Sequence, residues 1–174
     1  MKYFVKIIVV TVLLFISTST FAEQKIVVLD LKYVLNNSKA GKGAQDFLKK
    51  SFNTNAKKFG DIEKSLKDEE KDLIEKKNVL SKEDYIEKSK ALRKKVMKYK
   101  TDRRSSLDKI AKQRTESKEK LLKTLTPIID EYININKISL VLDKKNMLGG
   151  LNEFDITNAV VDKLDKKLPS LNLK

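Results

Sequence analysis

Residues 44–77 read AQDFLKKSFNTNAKKFGDIEKSLKDEEKDLIEKK. The stretch contains no Pro and one Gly, Gly60, while Phe52, Phe59, Leu66, Leu73 and, just past its end, Leu80 recur every seven residues. An apolar residue at every seventh position of so long a Pro-free run is a helical stripe. The companion heptad position runs Leu48, Asn55, Ile62, Glu69, Lys76, apolar at the start and charged at the end. The seam is therefore expected to be tighter at its base than at its tip. Residues 78–81 (NVLS) interrupt the pattern, and Ser81 with Asp84 three positions on has the form of a helix N-cap with an acidic first turn. The chain is expected to reverse there.

A second helical run, 82–136, carries Tyr85, Leu92, Val96, Tyr99, Leu107, Ile110, Leu121, Leu125, Ile128 and Tyr132. Steps of eleven stand out within it, from Tyr85 to Val96 to Leu107 and from Tyr99 through Ile110 and Leu121 to Tyr132, a spacing closer to an untwisted helix than to a strict heptad. Two long helices joined by a short turn make an antiparallel hairpin over 44–136 with its tip near 78–81. At 1.5 Å per residue, about 40 residues each way give an arm of roughly 60 Å. Pro127 lies inside the second run and predicts a kink or restart, because it removes a backbone donor and crowds the preceding turn.

Working outward, residues 25–30 (KIVVLD) form a short β-branched apolar run that reads as a buried strand. Asp30 can cap a short helix over 31–35, and 36–43 (NNSKAGKG) reads as a turn-rich hinge into the arm. Beyond the arm, 138–143 (ISLVLD) is a second strand, followed by a turn at 144–146 and the pair Gly149 and Gly150. Asp155 can cap a last helix, 156–168, with Ile156, Val160, Val161, Leu164 and Leu168 on one face and Pro169 stopping it. The strands sit at opposite ends of the chain and are expected to pair at the base of the arm, in a body made of 23–43 and 137–174. The fold class is α+β: a long antiparallel helical hairpin on a small β body. So small a sheet buries too little to stand alone, so the body is expected to assemble with copies of itself through Ile26, Val27, Val28, Leu29, Leu140, Val141 and Leu142.

The 174 residues include 38 Lys or Arg and 24 Asp or Glu, a formal charge of +14, with no His, Cys or Trp. Those absences remove the usual zinc ligand sets, Ser-His and Cys-His nucleophile pairs and disulfides. No metal and no cofactor is expected. Residues 1–22 carry the zones of a secretory signal peptide: Lys2 and Lys6, an apolar run over 7–16 (IIVVTVLLFI), and STSTFA ending at Ala22. Ten apolar residues are too few to span a bilayer, which needs about 20. An uncleaved anchor is the rival reading; cleavage after Ala22 is the expectation, and it takes the charge to +12 by removing Lys2 and Lys6. Export from the cytoplasm moves the expected partner of a basic chain away from nucleic acid, towards anionic lipid, lipopolysaccharide and acidic or unfolded polypeptide.

The charge is uneven. Residues 56–80 hold seven basic and seven acidic side chains, whereas 85–114 hold twelve and three. The twelve are Lys88, Lys90, Arg93, Lys94, Lys95, Lys98, Lys100, Arg103, Arg104, Lys109, Lys112 and Arg114. They go most of the way round the helix, and like charges four apart repel by a few tenths of a kcal/mol each. A solvated coiled-coil surface accounts for any one of them; a ligand field accounts for the excess. Glu69, Glu70 and Asp72 read as a solvated patch, Asp30 and Asp143 as strand-end caps, and Tyr85 and Tyr99 as seam residues. No nucleotide-binding motif is present.

In order and spacing, KIVVLDLKYVL (25–35), AGKGAQDFLKKSF (40–52), the break at Pro127, ISLVLDKKNMLGG (138–150) and FDITNAVVDKL (154–164) resemble the Skp (OmpH-like) family of periplasmic chaperones. The resemblance covers essentially the whole chain after residue 22. It implies a homotrimer with a shared β body and three arms around a cavity, holding unfolded outer-membrane β-barrel proteins without ATP. It also implies a lipopolysaccharide-binding patch on the arms, whose residues do not align here. Two other readings stand beside it. One is a structural coiled-coil envelope protein that binds anionic lipid or lipopolysaccharide surfaces; the other is an exported enzyme, weakened by the missing catalytic residue types.

Overall fold

The computed structural model describes Tyr3 and residues 24–173, so the signal-peptide reading of 1–22 lies outside the described residues, Tyr3 apart. Strand β1 (Lys25–Leu29) is followed by helix α1 (Leu31–Asn37), the long helices α2 (Lys39–Glu75) and α3 (Lys82–Asn136), strand β2 (Ile138–Asp143) and helix α4 (Thr157–Lys167). Single 3₁₀ turns lie at Lys76–Asn78, Lys144–Asn146 and Asn152–Phe154.

The strands pair in parallel, Ile26 opposite Leu140, Val27 opposite Val141 and Val28 opposite Leu142. A parallel pair needs a crossover connection, and here the whole arm is that crossover. One face of the sheet is closed by the protein's own core: Val27, Leu29, Val34, Ala40, Ala44, Leu121, Leu125, Ile128, Ile138, Ile156, Val160, Leu164 and Leu171 form one cluster, with Val141, Val161 and Leu168 packed on it. Thus α4 buries Val160 and Leu164 of the face expected of it, with Ile156 buried just before its first turn. The Asp155 carboxylate accepts from the Thr157 amide at 2.9 Å, and Lys39 N–H donates to Asp165 at 2.7 Å, tying α4 to the start of α2.

The caps explain why the helices begin where they do. The Asp30 carboxylate accepts from the Tyr33 amide at 2.7 Å and starts α1. At the far end Ser81 accepts from the Asp84 amide at 3.1 Å and starts α3, and the 3₁₀ turn at Lys76–Asn78 completes the reversal. Each satisfies donors that the first helical turn leaves unpaired.

Three expectations are corrected. Residues 36–43 are not a turn-rich hinge: α1 runs to Asn37, α2 begins at Lys39, and buried Ser38 alone makes the corner, its Oγ accepting from the Gly41 amide at 3.2 Å. Gly41 is there because the helices approach so closely that a Cβ would lie 1.9 Å from the Leu35 carbonyl oxygen. Pro127 does not restart the helix either; α3 runs unbroken past it. Its ring is on the exposed side while Leu125 and Ile128 are held in the core, so packing outweighs the one lost hydrogen bond.

The third correction concerns the seam. Leu107 is 41% and Phe52 52% exposed, so the series from Tyr85 through Val96 leaves the contact at Leu107 and the stripe holds only from Phe59 to Leu80, whereas Tyr99, Ile110, Leu121 and Tyr132 all lie buried or half-buried. On α3 the inward positions are Tyr85, Ser89, Leu92, Val96, Tyr99, Ser106, Ile110, Gln113 and Ser117, spaced three and four apart apart from the one step of seven between Tyr99 and Ser106. That is heptad spacing with serines in it. Small polar residues occupy seam positions and displace large apolar ones to the surface, an inversion that apolar periodicity alone misreads.

Candidate binding surface of the arm

All twelve basic residues singled out on α3 are exposed. Four are compensated: Lys95 by Glu69 across the hairpin at 2.6 Å, Lys98 by Asp102 at 2.7 Å, Arg104 by Asp108 at 3.9 Å and Lys112 by Glu116 at 3.8 Å. Lys88, Lys90, Arg93, Lys94, Lys100, Arg103, Lys109 and Arg114 make no ion pair among the described residues. The excess positive charge thus faces solvent.

Apolar side chains stand among these cations, and sequence reasoning missed them. Phe52, Ile74, Val79, Ile86, Met97 and Leu107 are all exposed along the arm. Tyr99, Lys100, Arg103, Arg104, Leu107 and Asp108 line a shallow recess of about 310 Å³ on α3. The signal that locates Leu107 outside is the serine at 106: once Ser106 follows Tyr99 and Leu92 at seven-residue steps, its neighbour must turn outward.

One cross-hairpin cluster fixes the middle of the arm. The rings of Phe59 and Tyr99 meet edge to face, 6.1 Å apart and inclined by 64°, and the Tyr99 hydroxyl donates to Glu63 at 2.9 Å. Lys67 reaches the same carboxylate at 2.8 Å. Partial withdrawal from water, then the bond to Glu63, raises the Tyr99 phenol above its ordinary 10.0, while Lys67 and then Tyr99 hold Glu63 below its ordinary 4.5. Tyr99 is therefore a seam residue, as its spacing indicated, that also borders the recess. Of the acidic trio, Glu69 and Asp72 are engaged in ion pairs with Lys95 and Lys76, which accounts for them structurally.

The seven residues expected to join copies of the body divide in two. Val27 and Leu29 lie in the protomer's own core and Val141 packs against it. Ile26, Leu140 and Leu142 face the other way and are exposed, whereas Val28, on that same outer face, is buried beside the bridge it makes with Asp155. Asp30 and Asp143 cap, as expected; Asp143 accepts from the Lys145 amide at 3.1 Å. Among the described residues no helix is long and apolar enough to cross a membrane, and no group of His, Cys, Asp or Glu is placed to hold a metal.

This architecture has known relatives. In the structure of an OmpH-like protein from Caulobacter crescentus CB15, a candidate outer membrane chaperone, 90% of the chain superposes on 88% of this one with a TM-score of 0.78 at 19% identity, a likeness of fold. No curated protein matches the sequence. The family model for outer membrane proteins of OmpH-like type matches residues 25–164, the two strands, the complete arm and most of the last helix. The chain belongs to the OmpH-like family.

Proposed function

We propose that this protein is an ATP-independent holdase of the periplasm, exported with cleavage after Ala22, that binds unfolded outer-membrane β-barrel proteins and keeps them from aggregating in transit. The observation that carries this reading is the interleaving, on a helix held away from the core, of eight cations that make no ion pair among the described residues with exposed Leu107, Met97 and Ile86. An unfolded chain offers both acidic and apolar groups, and weak contacts of both kinds, repeated over several arms, add to useful avidity. Residues 44–136 act as the binding arm, while 23–43 and 137–174 act as the body that joins copies, a homotrimer by family resemblance. Release needs no chemistry, only a competing partner or the client's own folding.

The test is light scattering after diluting a urea-unfolded outer-membrane β-barrel protein into buffer, with and without residues 23–174 and with no nucleotide. Suppression at near-stoichiometric levels is expected. Replacing Lys94, Lys100, Arg103, Arg104, Lys109 and Arg114 together with Gln should weaken client binding and flatten its salt dependence; unchanged affinity would remove charge from the mechanism.

The recess at Tyr99, Arg103, Arg104 and Leu107 supports a second reading, in which the arm binds an anionic amphiphile such as lipopolysaccharide or acidic lipid. That reading expects binding to acidic vesicles at low salt with aggregation left undiminished.

A further inference from the structure

The arm has two unlike flanks, and the difference between them selects a partner. Five large apolar side chains stand exposed on its two helices beyond the base: Phe52 and Ile74 on α2, and Ile86, Met97 and Leu107 on α3. Each comes one residue after a seam position, respectively Ser51, Leu73, Tyr85, Val96 and Ser106. Both helices are right-handed and run in opposite directions, so one step past the seam turns both to the same flank. Counted in opposite directions from the Phe59–Tyr99 contact, Phe52 lies level with Leu107 and Ile74 close to Ile86. The flank one residue before the seam on α3 differs in kind: over 84–116 it carries Asp84, Asp102 and Glu116, and Ala91 is its one apolar residue.

On the apolar flank α3 alternates in blocks. Ile86 is followed by Lys90 and Arg93, Met97 by Lys100 and Arg104, and Leu107 by Ala111, Arg114 and Lys118, so none of these ten positions is acidic. Among the described residues only Arg104 of these six cations has an ion-pair partner, Asp108 at 3.9 Å. The same flank of α2 adds Lys67 with Glu63 and Glu70, and Glu63 is already held by Lys67 and Tyr99, so a surplus of positive charge remains. Gly60, one step past the seam residue Phe59, lies there too. It is the one glycine of the arm, and a Cβ on it would meet nothing within 4 Å. Glycine weakens a helix interior, and no packing among the described residues asks for it here; what it offers is bare backbone that a neighbouring element can approach closely.

We propose that this flank of the hairpin is a docking groove for an acidic amphipathic helix of a partner protein, laid along the arm as a third helix. The apolar levels at Ile86, Met97 and Leu107 are eleven and ten residues apart, about 16 Å and 15 Å at 1.5 Å per residue. A partner helix covers each interval in three turns, which return its apolar residues to one side. An extended chain covers it in about five residues at 3.3 Å each, an odd number that turns successive apolar side chains to opposite faces. Carboxylates between the apolar levels would meet the cation pairs, whereas α3 of a second copy would bring only more cations. The partner is thus distinct from the unfolded, strand-forming clients of the proposed function, and the groove does not depend on that reading.

The probe is a fluorescent Ala- and Gln-based peptide of about 25 residues, with Leu at the same eleven and ten spacing and Glu between them on the same side. Mixed with residues 23–174 at low salt, it is expected to bind, to gain helicity by circular dichroism and to slow peroxide oxidation of Met97, which is 70% exposed. A peptide of equal composition with Leu and Glu alternating as in a strand should bind at least tenfold more weakly. Gly60→Gln should weaken binding of the helical peptide at least tenfold while raising the melting temperature, since Gln is the better helix former; Ala91→Gln, on the other flank, should leave binding unchanged. Equal binding of the strand-patterned peptide would overturn the helical partner and give the flank to extended chains. No binding of the helical peptide, or no effect of Gly60→Gln, would overturn the groove. Met97 already protected from peroxide without peptide would mean that a second copy covers the flank, and would overturn it as well. Every readout is taken without client, so failure here is distinct from failure of the holdase assay.

Discussion

The base and the distal part of the arm are made of the same two helices, yet they are stabilised differently. At the base, Leu121, Leu125 and Ile128 of α3 meet Ala40 and Ala44 of α2 and are closed over by Val34, Val160 and Leu164, so each helix has neighbours on more than one side. Farther out only two helices remain, and the seam includes Ser51, Asn55, Ser89, Ser106 and Ser117, punctuated by Phe59 with Tyr99 and by buried Leu73 and Leu92. A two-helix pair leaves most of each helix in water, so little free energy is available to hold it. Large apolar side chains that a closed core would bury are instead on the surface. The difference shows how a chain so rich in charge keeps a fixed fold at one end and an adaptable surface at the other.

The largest effect that would break this contrast is at Leu125, which is 1% exposed. Leu125→Ala should cost about 3 kcal/mol in urea unfolding, whereas Leu73→Ala in the distal seam should cost about 1–2 kcal/mol, since a two-helix seam relaxes around the gap. Equal costs would mean that the arm is as well packed as the base. Gly41→Ala should follow closely, at about 2–3 kcal/mol, because the new methyl group meets the backbone carbonyl of Leu35, which cannot step aside as a side chain can. Its signature would be loss of the corner between α1 and α2, read as amide exchange over 31–45, with the tip unaffected.

Phe59→Ala should cost about 1–2 kcal/mol, below the 3–5 kcal/mol of a fully enclosed aromatic ring. Hydrogen exchange should rise over 52–66 and 92–106 and stay unchanged in the body. The smallest effect is on pH. Glu63 has its carboxyl lowered, so its contribution is present above pH 4.5 and fades as pH falls through its depressed value; Tyr99 is raised, so its contribution is full below pH 10.0 and fades as pH rises through its elevated value. Exchange in the middle of the arm should quicken at both extremes, and Glu63→Gln should abolish the acid limb while only reducing the alkaline one, whose first cause is the withdrawal of Tyr99 from water. A profile identical in the body would indicate general charge repulsion instead.

Much of this fold was legible from local pattern. Both strands, the tip at Ser81, the cap at Asp30 and the buried face of α4 each declare themselves within a few residues, because capping and periodicity are local physics. The seam was less so. Phe52 and Leu107 looked buried because they are large and apolar at tempting intervals, and the serines that take seam positions carry no hydrophobic signal. Residues 36–43 looked loose because Asn, Ser and Gly favour turns, whereas Gly41 is there for the closeness of two backbones.

The amino-acid sequence by itself determined the hairpin, its basic returning helix and the two-stranded body, since helix period, strand composition and charge are properties of neighbouring residues. Only the tertiary structure decided which side of each helix faces its partner, which cations keep their charge uncompensated, and that the sheet covers one face while leaving Ile26, Leu140 and Leu142 open. Those outcomes depend on contacts between residues far apart in the chain, where packing geometry outweighs local preference.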